Sequence, residues 1–289
     1  MTWHIGVIGG SGLHEGLALD EAQSIPVRSP FGEPSGPVTT GLIGGVRFSF
    51  LARHGAGHVL PPAAVNYRAN IDVLKRTGVT DVVALSAIGS LREDLAPGGF
   101  VAVDQFIDRT AGRARSFFGE GMVAHVSLAD PTCARLSALV ADAAESAGAP
   151  VRRGGCYVAI DGPQFSTRAE SALYRAWGGD VIGMTGMPEA RLAREAELPY
   201  ALLGMVTDYD CWREGEAVGA AEVFAVMKAN AALAREAMAG LARVLPAQRT
   251  AAPADTALDG AFATAPGQRD GRLLAMLDGV AGRVLRKQE

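Results

Sequence analysis

The sequence predicts a single α/β domain with a central mixed β-sheet flanked by helices, plus a C-terminal helical extension. Three observations carry this. Short apolar runs alternate with segments of helical periodicity along most of the chain. Two β-branched-rich runs, VTTGLI and VRFSFLA, are separated only by Gly44-Gly45, the signature of a hairpin, so the sheet holds an antiparallel pair. Hydrophobic residues make up 48% of the 289 positions and charged residues only 20%, enough for a sizeable core and too little charge for global disorder.

Taken in order, Trp3–Ile8 reads as a strand ending in glycines, and the hairpin follows. Pro62–Thr77 reads as a helix, with proline near its start, an apolar face at Val65, Ile71 and Leu74, and Gly78 as a stop. Further strands are expected at Asp81–Leu85, Phe100–Ile107, Cys156–Ile160, Asp180–Met184 and Tyr200–Val206. Helices are expected at Pro131–Ala147, Thr167–Trp177, Pro188–Glu195 and Ala220–Val244. Residues 1–245 form the main domain; 246–269 read as an irregular Ala/Pro/Thr/Gly-rich connection, and Arg272–Arg286 as an amphipathic helix packing on the same domain.

Composition also excludes function classes. A net charge of −4 without a basic stripe argues against nucleic acid as a partner. No apolar stretch approaches the roughly 18 residues of a membrane span, and the N-terminus lacks a signal-peptide pattern. Three widely spaced cysteines form neither a disulfide framework nor a zinc site, so a reducing, cytoplasmic setting is expected. Glycine is in excess, 36 of 289, where roughly 7% is usual, which marks turns and close backbone approaches.

Four segments offer chemistry. GVIGGSGL follows a strand and exposes N–H groups and the Ser11 hydroxyl to an anion. It lacks the third glycine of a dinucleotide turn, and Leu13 replaces the last glycine of a nucleophile elbow. LARHGAGH places Arg53, His54 and His58 after a strand, and a guanidinium fork matches phosphate oxygens. LSAIGSL brings Ser86, Ala87 and Gly89 to another strand end. In MVTDYDCW, Asp208 and Asp210 lie two apart, and in extended chain both carboxylates face one side. After an apolar run, such a pair drives one carboxyl toward a protonated state and leaves the other as acceptor. Each segment alone also fits a ligand-free loop or turn.

GVIGGSGL, SPFGEPSGPV, RHGAGH, AIGSL, DQFIDRT, DGPQFSTRAES, GMTGMPEA and TDYDCW occur in this order. The set resembles the trimeric purine nucleoside phosphorylases, most closely their 5′-methylthioadenosine phosphorylase branch, over about residues 4–245. The resemblance implies phosphate binding by Ser11, Arg53, His54, Ser86, Ala87 and Thr185. It implies purine and ribose contacts from Phe165, Ser166, Met184, Asp208 and Asp210, with Asp208 as the catalytic acid. It implies a 5′-group pocket from His58, Ala220, Val223 and Phe224, completed by His125 donated across the interface of a homotrimer.

No metal and no organic cofactor is implied; inorganic phosphate is a co-substrate. The implied reaction is phosphorolysis of 5′-methylthioadenosine to adenine and 5-methylthioribose 1-phosphate. Two acids favour a 6-aminopurine, because 6-oxopurine sites in the family carry asparagine at the position of Asp208. The alternatives are a 6-oxopurine nucleoside or methylthioinosine phosphorylase, or a nucleoside-binding protein without turnover. The departures from the family pattern are Gln164, Gly186 and Ile88.

Overall fold

The computed structural model describes residues 2–10, 16–213 and 220–286, leaving aside the side chains of 220–225. The chain begins with β1 (His4–Gly9), an edge strand β2 (Asp20–Ile25), and the hairpin β3 (Val38–Ile43) and β4 (Val46–Ala52). Gly44 and Gly45 both have positive φ, 55° and 81°, which a two-residue hairpin turn requires, and Ile43 pairs with Val46 across it. β2 was not expected from the sequence. Its residues DEAQSI are almost wholly exposed, so no apolar alternation marked it.

A 3₁₀ turn at Pro62–Ala64 precedes α1 (Tyr67–Arg76), which divides the helix expected from Pro62. Asn66 restarts the helix, its side chain accepting from the Ala69 amide at 3.1 Å. There follow β5 (Asp81–Ser90), β6 (Phe100–Val103), β7 (Gln105–Asp108), α2 (Ala134–Ser146), β8 (Val151–Arg153), β9 (Cys156–Ala159) and α3 (Arg168–Ala176). Thr167 and Glu170 cap α3 reciprocally. The chain continues through β10 (Val181–Gly183), α4 (Gly186–Glu195), β11 (Tyr200–Asp208) and α5 (Ala220–Val244). Two 3₁₀ turns interrupt the irregular connection, and the last helix is broken at Leu277 into α6 (Gly271–Met276) and α7 (Asp278–Leu285).

Among the described residues, eleven strands form one mixed sheet. β1 lies between β4 and β5, parallel to both, and β11 runs parallel to β5 on its other side. The tail of β5 instead pairs antiparallel with β10, Val181 opposite Ser90 and Ile182 opposite Gly89. The expected strand Phe100–Ile107 is two strands, because Asp104 separates a segment paired with β11 from one paired with β9.

Both faces of the central strands are covered. Val82 and Ala84 point into a core with α1, α4 and α7, which includes Ile71, Leu192, Val280 and Val284. Val83 and Leu85 point into a second core with α2 and α5, which includes Leu136, Val140, Ala237 and Leu241. That two-sided burial explains why β5 reads as an unbroken apolar run. The C-terminal α7 therefore shares a core with the central sheet. No helix among the described residues is long and apolar enough to cross a membrane.

Candidate active site

The parallel strands β1, β4, β5 and β11 deliver their carboxyl ends to one edge of the sheet, where ligands of open α/β folds bind. A cavity of about 470 Å³ opens there, within the size range of small-ligand sites. Its wall includes Gly10, Arg53, His54, His58, Ser86, Ala87 and Gly89, and from later in the chain Phe165, Ser166, Met184, Thr185, Asp208 and Asp210. Residues expected from five separate segments thus meet in one place.

Ser11 lies outside the described residues, and so do the side chains of Ala220, Val223 and Phe224, whose backbone belongs to α5. His125 is exposed and away from the cavity wall; its amide donates to the Ala261 carbonyl at 2.8 Å.

Because β10 is antiparallel to the tail of β5, Thr185 comes back opposite Ser86, and their hydroxyl oxygens are 3.1 Å apart. Ser86 Oγ also lies 3.1 Å from the Ala87 carbonyl, to which it donates. Thr185 therefore serves as the donor of the pair.

Arg53 differs from the expected free clamp. It is 2% exposed and forms a fork with Glu189, Nε to Oε2 at 2.9 Å and Nη2 to Oε1 at 3.0 Å. Nη1 donates to the Leu85 carbonyl and Nη2 to that of Ile8. Burial opposes the guanidinium charge, but Glu189 outweighs it and raises the pKa further. The cost is that the pair is electrically neutral, and a single N–H of Nη1 remains for a ligand.

His54 is also changed by its setting. Burial, then the Arg53 charge, lower its pKa to about 4, so it is neutral at pH 7. Nδ1 lies 2.8 Å from the Leu60 carbonyl, which makes Nδ1 the protonated nitrogen and Nε2 an acceptor. The ring stacks on His58 at 4.2 Å.

Asp208 and Asp210 do share the cavity, though not through extended chain. A bulge at Thr207 shifts the register between β11 and β5, and Asp210 has φ +54°. The Asp210 amide turns back to donate to Asp208 Oδ1 at 2.8 Å. Asp208 Oδ2 accepts from Thr207 Oγ1 at 2.7 Å. Burial raises both pKa values; these two hydrogen bonds pull Asp208 partly back, and the Asp208 charge adds to the rise at Asp210. Asp210 Oδ2 is buried and receives no well-aligned hydrogen bond, and neither does Ser166 Oγ. Gly89 makes this possible: a Cβ there would stand 2.9 Å from Asp208 Oδ1 and 3.0 Å from Ile182 Cγ2.

The chain from residue 4 to 244 matches the model of the phosphorylase superfamily. This chain belongs to that superfamily. S-methyl-5′-thioadenosine phosphorylase of Cereibacter sphaeroides is 57% identical to this superfamily member, over 99% of this chain and 100% of its own. The enzyme of the same name from Bradyrhizobium diazoefficiens is 53% identical over 98% of each. Among solved structures, a methylthioadenosine phosphorylase from an antarctic soil metagenomic library superposes with a TM-score of 0.92 at 42% identity, covering 96% of this chain and 99% of that one. The methylthioadenosine phosphorylase of Schistosoma mansoni in complex with adenine gives 0.80 at 38% identity, covering 85% and 93%.

Three residues of this superfamily site were absent from the sequence reading. Glu189 stood in the motif GMTGMPEA, but nothing local marks its partner 136 positions away. Tyr157 Oη accepts from the Thr185 and Gly186 amides at 3.2 and 3.4 Å, holding the loop that carries Thr185. Arg113 donates to the carbonyls of Asp161, Met184 and Met187 at 2.7–2.9 Å, tying two loops of the cavity wall together.

Proposed function

We propose that the chain cleaves the N-glycosidic bond of 5′-methylthioadenosine with phosphate, releasing adenine and 5-methylthioribose 1-phosphate. The observation that carries this reading is the pair of buried carboxylates beside a donor-lined recess in one cavity.

Glycosidic cleavage passes through an oxocarbenium-like state, so the sugar gains positive charge as the purine gains negative charge. Phosphate under the ribose supplies both the nucleophile and a countercharge. The remaining Arg53 N–H and the backbone N–H groups around Ala87 donate to its oxygens, and on binding the Ser86 and Thr185 hydroxyls turn away from the Ala87 carbonyl and from each other to donate to them as well. Neutral His54 presents an Nε2 lone pair and accepts the hydroxyl of monoprotonated phosphate, which leaves the bare oxygens for attack. Ser11 adds a hydroxyl from the first loop.

At the other end, burial favours the protonated form of Asp208, and in that form it gives its proton to N7 as the purine departs. Asp210 Oδ2 accepts from the exocyclic amine. A 6-oxopurine offers an acceptor there, and leaving buried polar groups mismatched costs about 10⁴–10⁵ in discrimination. Phe165 and Ser166 flank the base, and Met184 lies against the ribose. The family resemblance assigns His58, Ala220, Val223 and Phe224 to the 5′ group, with His125 entering from a neighbouring subunit of a homotrimer. The enzyme works in the cytoplasm, without metal or organic cofactor.

The deciding experiment incubates the protein with methylthioadenosine, adenosine, methylthioinosine and inosine, each with and without phosphate. Adenine release from methylthioadenosine only when phosphate is present supports the reading. Equal release without phosphate makes the protein a hydrolase, and preference for the 6-oxo substrates overturns the assignment of Asp208 and Asp210.

A further inference from the structure

Phosphate carries about two negative charges near neutral pH, yet Arg53, the guanidinium deepest in the wall, is neutralised by Glu189. The remaining lysine and arginine side chains in the wall are Lys228 and Arg235, both on α5. They lie seven residues apart, two helical turns on one face, and Met227 and Ala231 of that face line the same cavity. No acidic side chain among the described residues pairs with either.

The helix is anchored so that this face spans the site. Asn230 is buried and its Nδ2 donates to the Val206 carbonyl of β11 at 3.0 Å. Further along the helix, Ala234, Ala237 and Met238 are buried in the core that also holds Leu136 and Val140 of α2 and Leu203 of β11. The opposite face, which bears Lys228 and Arg235, is thereby held along the wall of the cavity that Gly10 and Arg53 also line.

We infer that Lys228 and Arg235 form the electrostatic recruitment element for phosphate, while the Arg53–Glu189 pair serves to orient it. The inference rests on the phosphorolytic reading above. A neutral pair places one N–H with accuracy but draws no anion from solution. Two unpaired cations along the cavity wall raise the local concentration of a dianion, and salt weakens that attraction over the Debye length. Lys228 is exposed and Arg235 half-buried, so both act partly through water, where attraction is most sensitive to ionic strength.

The test is steady-state kinetics in inorganic phosphate at fixed, saturating methylthioadenosine, across ionic strength, for the wild type, K228Q, R235Q and the double variant. In the double variant the KM for phosphate is expected to rise about fivefold near 0.05 M ionic strength, with the change carried by KM and not by kcat. It is expected to converge with the wild type to within about twofold near 0.5 M, where the Debye length is only a few ångströms. R235K should restore most of the effect, since charge and not fork geometry is required. Parallel salt dependence in wild type and double variant, or a loss confined to kcat, overturns the inference. Adenine release that ignores phosphate overturns the phosphorolytic reading instead, so the two failures are distinct.

Discussion

The Asp210 amide donates to Asp208 Oδ1 at 2.8 Å, so the residue proposed to meet the amine of the base also holds the proposed acid in place. Replacing Asp208 by asparagine keeps that acceptor but removes the transferable proton. For D208N, kcat/KM with methylthioadenosine is expected to fall by at least about 100-fold, the usual lower scale of general-acid catalysis. The ratio of methylthioinosine to methylthioadenosine turnover should rise, because an amide serves both O6 and N7. An unchanged ratio would show that Asp208 does not read the base.

The same acid sets a pH dependence. Burial raises the Asp208 pKa, and in the proposed mechanism the protonated form is the active one. Activity at saturating substrate should therefore decline as pH rises through that elevated value. Stopped assays of kcat against pH should show this alkaline limb in the wild type and lose it in D208N.

Glu189 makes a stability prediction. It is 1% exposed, bound to Arg53 by two hydrogen bonds and accepting a third from Tyr200 Oη at 3.0 Å. Removing it strands a buried guanidinium, at a cost of about 3–5 kcal/mol. Urea titration of E189A should show that loss. An R53M/E189L double variant should recover much of it, because no uncompensated charge remains. Equal losses in the two would mean that packing, not charge, dominates.

Glu195 gives a stability change of opposite sign to ordinary acid denaturation. Burial pushes its pKa up to about 7, against the amide of Phe117 and the hydroxyl of Ser116, which both donate to it at 2.7 Å. The folded chain thus holds a proton between pH 4.5 and 7 that the unfolded chain releases. Its contribution is favourable at low pH and is lost as pH rises to 7, by about 3 kcal/mol in all. E195Q should be insensitive to that loss, so its stability relative to wild type should climb over this window and level off above it. Unfolding midpoints at half-unit steps of pH will show whether it does.

The proposed trimer is checked by light scattering. His125 is exposed and clear of its own cavity wall. If a neighbour supplies it, H125A should raise the KM for methylthioadenosine while the KM for phosphate stays near wild type. A fully active monomer would overturn the assignment.

What the chain revealed in advance follows the range of the forces involved. The Gly44-Gly45 hairpin and α5, Ala220–Val244, were legible because a turn and a periodic face are local properties. β2 was hidden because an exposed edge strand needs no apolar pattern. Phe100–Ile107 looked continuous because the change of partner at Asp104 belongs to the sheet. At the site, residue types near strand ends could be picked out, and the motif order tied them together. The neutralised state of Arg53, the acceptor face of His54 and the bulge at Thr207 depend on groups distant in sequence or on register, and none leaves a local mark.

Gly89 has an evolutionary consequence. A side chain there would crowd both the carboxylate of Asp208 and the methyl of Ile182, so filling this floor of the cavity requires one or both of them to shift. Position 208 carries no such restriction, since aspartate and asparagine have nearly the same shape. On the proposed role of Asp208, a lineage changing its preferred base would pass more easily through a one-residue exchange at 208 than through a change of Gly89, and the scaffold beneath could stay unaltered.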